Sequence, residues 1–277
     1  MSTPRTLAGK TLLVTGGSRG IGRAIALRAA RDGANVVICA KTTTEHAKLP
    51  GTIGEAAAEC EQAGGQALAV KTDLRFEDEI TAAVAAAVER FGGLDILVNN
   101  ASALGISGTL ETTTKMFDRM HGINARGSWL MTRECLPHLL KGDNPHVLNI
   151  APPLNMDAKW FKDFGAYSLA KYAMSVWVLG MSAEFADRGV AFNALWPKTT
   201  VATAAVRNLL GGEAMVNASR EPAVMGDAAH AVLTRDSNVY TGNFTTDEDI
   251  LIEEGVTDLD KYAVKPGTPL QTDFFLD

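Results

Sequence analysis

Short apolar runs alternate with longer stretches of helical periodicity through most of this chain. Residues 11–14, 35–40, 67–72, 95–98, 146–150 and 190–195 are the apolar runs, bounded by glycine, proline and polar clusters. Each is long enough for a buried strand and too short for a buried helix. Between them, residues 23–32, 55–63, 77–91, 113–140, 166–187 and 222–234 read as helices. Residues 201–210 read as a mobile helix or lid, and 238–244 as a last short strand. Gly33 follows the first helix as a C′ residue should. Strands alternating with helices predict an α/β fold, a parallel sheet with helices on both faces. There is no internal repeat, low-complexity tract or linker, so residues 1–277 are expected to form one domain.

The glycines sharpen this picture. The loop Thr15-Gly16-Gly17-Ser18-Arg19-Gly20-Ile21-Gly22 lies between the first strand and the first helix. In that setting the glycines permit a tight turn and close approach of a pyrophosphate, while the helix N-terminus offers free N–H groups and positive dipole. The second strand then ends Ala40-Lys41-Thr42-Thr43, without the acid that would hold a ribose 2′-hydroxyl in an NAD site. Lys41 is placed to pair with a 2′-phosphate, with Arg19 as a second cation. NADP is therefore the expected cofactor, and His46 and Lys48 extend the basic edge.

Tyr167 and Lys171 stand at i and i+4 on one helix. They share a face there, and the ammonium should pull the phenol below its usual pKa of about 10. A tyrosine so tuned can exchange protons near neutral pH.

Composition removes other classes. Net charge is −6, with 21% charged and 46% hydrophobic residues, so no nucleic-acid surface is indicated. Cys39, Cys60 and Cys135 form no CxxC, and the five histidines show no ligand spacing, so no metal site is expected. The opening residues lack a signal-peptide core, and no apolar run suffices for a membrane span; a cytoplasmic protein is expected. Residues 249–277 are acidic yet carry Pro266, Pro269, Phe274 and Phe275. This tail is expected to dock on its own sheet edge or on a neighbouring subunit.

Four motifs in order now resemble the short-chain dehydrogenase/reductase family across nearly the whole chain: the glycine loop, Asn99-Asn100-Ala101, Asn124, and Tyr167 with Lys171. The resemblance implies a Rossmann-like doubly wound sheet of seven strands in the order 3-2-1-4-5-6-7. It implies that Gly16, Ser18, Arg19, Gly20, Ile21 and Gly22 hold the phosphates and Lys41 the 2′-phosphate. Asp73 and Leu74 would meet the adenine, Asn100 and Ala101 the ribose and nicotinamide side, and Pro197, Thr199 and Thr200 the nicotinamide end. Lys171 would also hold the nicotinamide ribose, with Tyr167 as acid/base and Asn124 holding a water that links Lys171 to solvent.

One element departs from that pattern. The serine expected after the fifth strand is Ala151. Ser102 and Asn155 are the candidate stand-ins. Leu154, Met156, Trp160, Phe161, Phe164 and Trp196 would wall an apolar substrate site, for a fatty or terpenoid aldehyde or alcohol, a ketone, or a steroid. The competing readings are an NADPH-binding sensor or scaffold that lost catalysis with Ala151, and a lyase or isomerase on the same fold. The family also implies a homodimer or homotetramer, with Met174, Val176, Trp177, Val178 and Met181 on the packing helix.

Overall fold

The computed structural model describes residues 5–45 and 49–277; His46 and Lys48 lie outside the described residues. The first apolar run forms β1 (Thr11–Thr15). It is followed by β2 (Asn35–Ala40), β3 (Gln66–Lys71), β4 (Ile96–Asn99), β5 (His146–Ile150), β6 (Ala191–Trp196) and β7 (Phe244–Thr246). They form one seven-stranded sheet in the order β3-β2-β1-β4-β5-β6-β7. Every neighbouring pair is parallel. The fold is the Rossmann-like one expected from the motifs.

Side chains alternate across the sheet with the two-residue period of a strand. Leu12, Val14, Val36, Ile38, Ile96 and Val98 enter the core on one face. Leu13, Val37, Cys39 and Leu97 enter the core on the other. The first core is covered by α1 (Gly20–Arg31), α2 (Ile53–Gln62), α9 (Ala223–Leu233) and α10 (Asp247–Glu253). The second is covered by α3 (Glu77–Phe91), α5 (Ser128–Leu139) and α7 (Gly165–Glu184). Local chemistry marks several helix ends. Thr52 and Glu55 form a capping box at the start of α2, and Gly92, at φ +83°, closes α3.

The long helix read over 113–140 is a continuous rod with a changed pitch in the middle. It comprises α4 (Thr114–Met120), a π-helical segment at His121–Gly127, and α5. Such widened turns concentrate at functional sites. One expectation near the C-terminus fails. Residues 238–244 are not a strand; the Asp236 carboxylate accepts from Asn238 N–H at 2.9 Å, folding 236–240 into a turn, and β7 starts only at Phe244. The acidic stretch from Asp249 begins inside α10, whose N-cap Thr246 accepts from Asp249 N–H and whose acidic first turn complements the helix dipole. Residues 201–210 hold a π-helical turn at Val206–Leu210, with α8 (Gly212–Asn217) after it and α6 (Lys159–Lys162) earlier in the chain, both unanticipated.

Candidate active site and cofactor cleft

Because all strands run the same way, the loops after β1, β4, β5 and β6 leave from one edge of the sheet, where such folds bind ligands. The loop after β1 fits a pyrophosphate. Gly16 and Gly20 have φ of +67° and +57°. A Cβ at Gly22 would lie 2.4 Å from Asn100 Nδ2 and 2.7 Å from Gly16 O, and one at Gly16 would lie 2.9 Å from Ala101 Cα. No side chain caps the N-terminus of α1. Its first N–H groups are thus left for an anion. Ser18 is buried inside this turn.

Asn100 braces the loop. Its Nδ2 donates to Thr15 O at 2.9 Å and to Gly16 O at 3.2 Å, while its backbone N–H donates to Thr15 Oγ1 at 3.0 Å. Ala101 N–H donates to the same hydroxyl at 3.1 Å. Arg19 is already engaged: its guanidinium donates to the carbonyls of Leu49, Pro50 and Gly51. The second cation expected for a 2′-phosphate therefore clasps the 49–51 loop here. Lys41, at the end of β2, is exposed, and its charge helps hold the Asp73 carboxyl below its ordinary range. The larger cause of that lowering is Arg75, which bonds Asp73 through Nε at 2.9 Å. Leu74 is buried against Gly127 of the π-helical turn, where a Cβ would lie 2.8 Å away.

Tyr167 and Lys171 are both buried on the first turns of α7 and line one cleft of about 170 Å³. Ile21 of the glycine loop, Asn100, Ser102, Trp196 and Pro197 line it too, as do Asp273 and Phe274 of the C-terminal segment. Lys171 Nζ donates to Ile150 O at 2.7 Å and sits 5.1 Å from the Trp196 ring centroid. Burial depresses the ammonium to about 7, opposed by the charge of Asp273. The expected lowering of the Tyr167 pKa is reversed. Burial, and after it the Asp273 carboxyl, push the phenol above its usual range. An i,i+4 spacing predicts proximity; it does not predict how much water the two groups lose.

Asn124 is fully buried in the π-helical segment. Its Oδ1 accepts from Ala103 N–H at 2.7 Å and its Nδ2 donates to Ala103 O at 3.1 Å, so its side chain is spent on that loop and not on Lys171. Thr199 and Thr200 are buried and carry the tail: Thr199 pairs with Thr272, and Thr200 N–H donates to Gln271 O at 2.8 Å.

Of the six residues expected to wall the substrate site, Trp196 lines the cleft. Leu154 and Met156 are exposed, and Trp160, Phe164 and Trp196 pack around Phe275 at 5.7, 6.2 and 5.8 Å between ring centroids. Phe161 packs against Tyr172 at a tilt, with ring centroids 5.2 Å apart. Ala151 is buried. Of its two candidate stand-ins, Ser102 lines the cleft, whereas Asn155 donates to the Asp277 carboxylate at 3.2 Å and is absent from the lining. Met174, Val178 and Met181 are buried within the subunit, leaving Leu169, Val176 and Leu179 as the exposed apolar residues of α7.

Sequence reasoning missed Asp273, Thr203, Val206 and Leu210 in the cleft. The last three sit in the segment read as a lid. No local signal marks Asp273, since its position depends on the chain returning to β6 from more than seventy residues away.

A seven-stranded doubly wound sheet, a glycine turn in which a Cβ at Gly16 or Gly22 would clash, and a buried Tyr167 and Lys171 lining one cleft with Ile21 of that turn are the features of a protein of the short-chain dehydrogenase type. The chain belongs to the short-chain dehydrogenase family, whose pattern matches residues 10–213. Within it, the chain is similar to hydroxysteroid dehydrogenase-like protein 2 of Danio rerio, at 57% identity over 272 residues covering 98% of this chain and 65% of that protein. The chain thus spans just under two thirds of that relative's length. A short-chain dehydrogenase structure from Mycobacterium thermoresistibile superposes with a TM-score of 0.93 at 51% identity, covering 98% of this chain and 96% of that one. The angucycline C-6 ketoreductase LanV with bound NADP has a TM-score of 0.74 at 29% identity, covering 87% of this chain and 95% of its own.

Proposed function

We propose that this protein is an NADP-dependent oxidoreductase of apolar carbonyl compounds and alcohols. The observation that carries this reading is that Tyr167 and Lys171 share one cleft with Ile21 of the glycine loop and with Asn100. Gly16, Ser18, Gly20, Ile21 and Gly22 would hold the pyrophosphate, Lys41 the 2′-phosphate, and Asp73 and Leu74 the adenine. Arg19 would add its charge from the 49–51 loop. Asn100 and Ala101 would line the ribose and nicotinamide side, Lys171 the nicotinamide ribose, and Pro197, Thr199 and Thr200 the nicotinamide end. When bound, the nucleotide supplies the hydride. The phenol of Tyr167 gives its proton to the substrate oxygen in reduction and takes it back in oxidation. Lys171, desolvated and with its pKa brought to about 7, can restore that proton. The cleft is walled by Ile21, Ile150, Trp196, Val201 and Phe274, which suits an apolar carbonyl compound.

Ala151 favours one other reading, an NADPH-binding sensor or scaffold with weak catalysis, because a methyl cannot hydrogen-bond the substrate oxygen. An NADPH assay against aldehydes and ketones separates the two. Tyr167→Phe should abolish turnover and leave NADPH binding intact. Micromolar NADPH binding with no turnover on a broad panel would favour the sensor. Assembly as a dimer or tetramer through the exposed Leu169, Val176 and Leu179 of α7 accompanies the reading. So does a cytoplasmic location, with three buried free cysteines and no helix among the described residues able to cross a membrane.

A further inference from the structure

The C-terminal segment places a carboxyl group beside the two residues assigned to proton transfer. Asp273 lines the same cleft as Tyr167 and Lys171. Its Oδ1 accepts from Phe274 N–H at 2.6 Å, and its own N–H donates to Lys198 O at 3.1 Å. No hydrogen bond to Oδ2 occurs among the described residues. The segment is held on both sides of Asp273. Thr272 pairs with Thr199, Trp196 Nε1 donates to Phe274 O at 2.9 Å, and Phe275 is fully buried. Such a clamp holds the carboxyl at the cleft even though it belongs to the end of the chain.

We propose that Asp273 hydrogen-bonds the substrate oxygen through Oδ2, taking the part that Ala151 cannot play. As a carboxylic acid it donates to a carbonyl oxygen, and as a carboxylate it accepts from an alcohol hydroxyl. No bond is made or broken at Asp273 itself; the transferred proton remains with Tyr167. The inference rests on the oxidoreductase reading above and adds a second polar contact at the reacting oxygen.

The surroundings suit a group that uses both forms. Burial raises the acid to about 7, the Asp247 carboxyl reinforces this, and the Lys171 ammonium opposes it. Tyr167 is the other titratable group facing it, and its phenol is raised in turn by Asp273. Below neutrality the protonated form should therefore assist reduction, and above it the ionised form should assist oxidation.

The test uses the full chain with Asp273→Asn and Asp273→Ala. The asparagine keeps an oxygen for Phe274 N–H and presents a permanent donor at the other position, so it preserves the clamp. Reduction of decanal by NADPH should fall about tenfold to a hundredfold in kcat/KM for Asp273→Ala, with NADPH affinity unchanged. The wild type should lose reductive rate as pH rises through neutrality, and Asp273→Asn should flatten that inflection to the part that Lys171 contributes while keeping most of the rate. Binding of decanol to the NADPH-loaded protein, followed by calorimetry above neutral pH, should weaken in Asp273→Ala. Wild-type rates, wild-type pH profiles and wild-type decanol affinity in both variants would overturn the role of Asp273 and leave the oxidoreductase reading standing. A wild type that reduces no member of a carbonyl panel would overturn the reading and the inference with it. If Asp273→Ala does not fold, the pH profile of Asp273→Asn decides.

Discussion

The indole N–H of Trp196 donates to the carbonyl of Phe274 at 2.9 Å, joining the end of β6 to the end of the chain. This bond sits over a cluster of aromatic rings centred on Phe275. Tyr167 and Tyr172 approach that ring at 6.3 and 5.2 Å. Phe275 has φ +69°, a region that side chains with a Cβ seldom occupy. Packing holds it there.

Phe275→Ala should therefore destabilise the protein by about 3–5 kcal/mol, since it empties a fully buried aromatic site. Denaturant unfolding measures this. A loss under roughly 1 kcal/mol would mean that the end of the chain is not seated as described.

Lys41→Asp should shift the nucleotide preference. If Lys41 holds the 2′-phosphate as proposed, putting a carboxylate there should weaken NADPH binding by about tenfold or more, and NADH binding much less. Nucleotide fluorescence titrations give both affinities. An unchanged NADPH-to-NADH ratio would place the 2′-phosphate elsewhere.

Gly22→Ala tests the close packing under the glycine loop. The added carbon would meet Gly16 O at 2.7 Å and an Asn100 amide that is itself pinned to Thr15 and Gly16. A cost of about 1–3 kcal/mol and loss of NADPH binding are expected. Gly93→Ala, where a Cβ would meet nothing within 4 Å, is the control and should leave both unchanged. Retained affinity in Gly22→Ala would argue against the loop as the nucleotide site.

His146 sets an acid limit on stability. Its ring is buried, Nε2 faces Arg235 O at 3.0 Å, and Nδ1 has no partner among the described residues. Burial is the main reason that its pKa falls to about 4 from an ordinary 6.5. The folded protein then keeps the ring neutral in a pH range where the unfolded chain protonates it. The unfolded state binds more protons there, so stability is present above about 6.5 and is lost as pH falls toward 4. The loss should be about 3 kcal/mol, and His146→Gln should flatten that part of the curve. An equally steep curve for the variant would assign the acid sensitivity to other groups.

The sheet was legible because β1, β2, β4, β5 and β6 are buried on both faces, and buried parallel strands read as continuous apolar runs. The glycine turn was legible because its constraint is local: only glycine fits where a Cβ would strike Asn100 or Gly16. The strand predicted at 238–244 failed because Asp236 offers the backbone a competing turn. The engagement of Arg19 was hidden in the same way, because its acceptors are carbonyls about thirty residues on.

From the order of its residues alone, this chain determined its alternation of strands and helices, its glycine turn, and the placing of Tyr167 and Lys171 on one face of a helix. These depend on periodicity and short spacings, which a linear string preserves. Only the tertiary structure decided the charge state of that pair and the company it keeps. Desolvation depends on everything packed around a group, and Asp273 reaches the cleft only once Phe275 has filled its aromatic site.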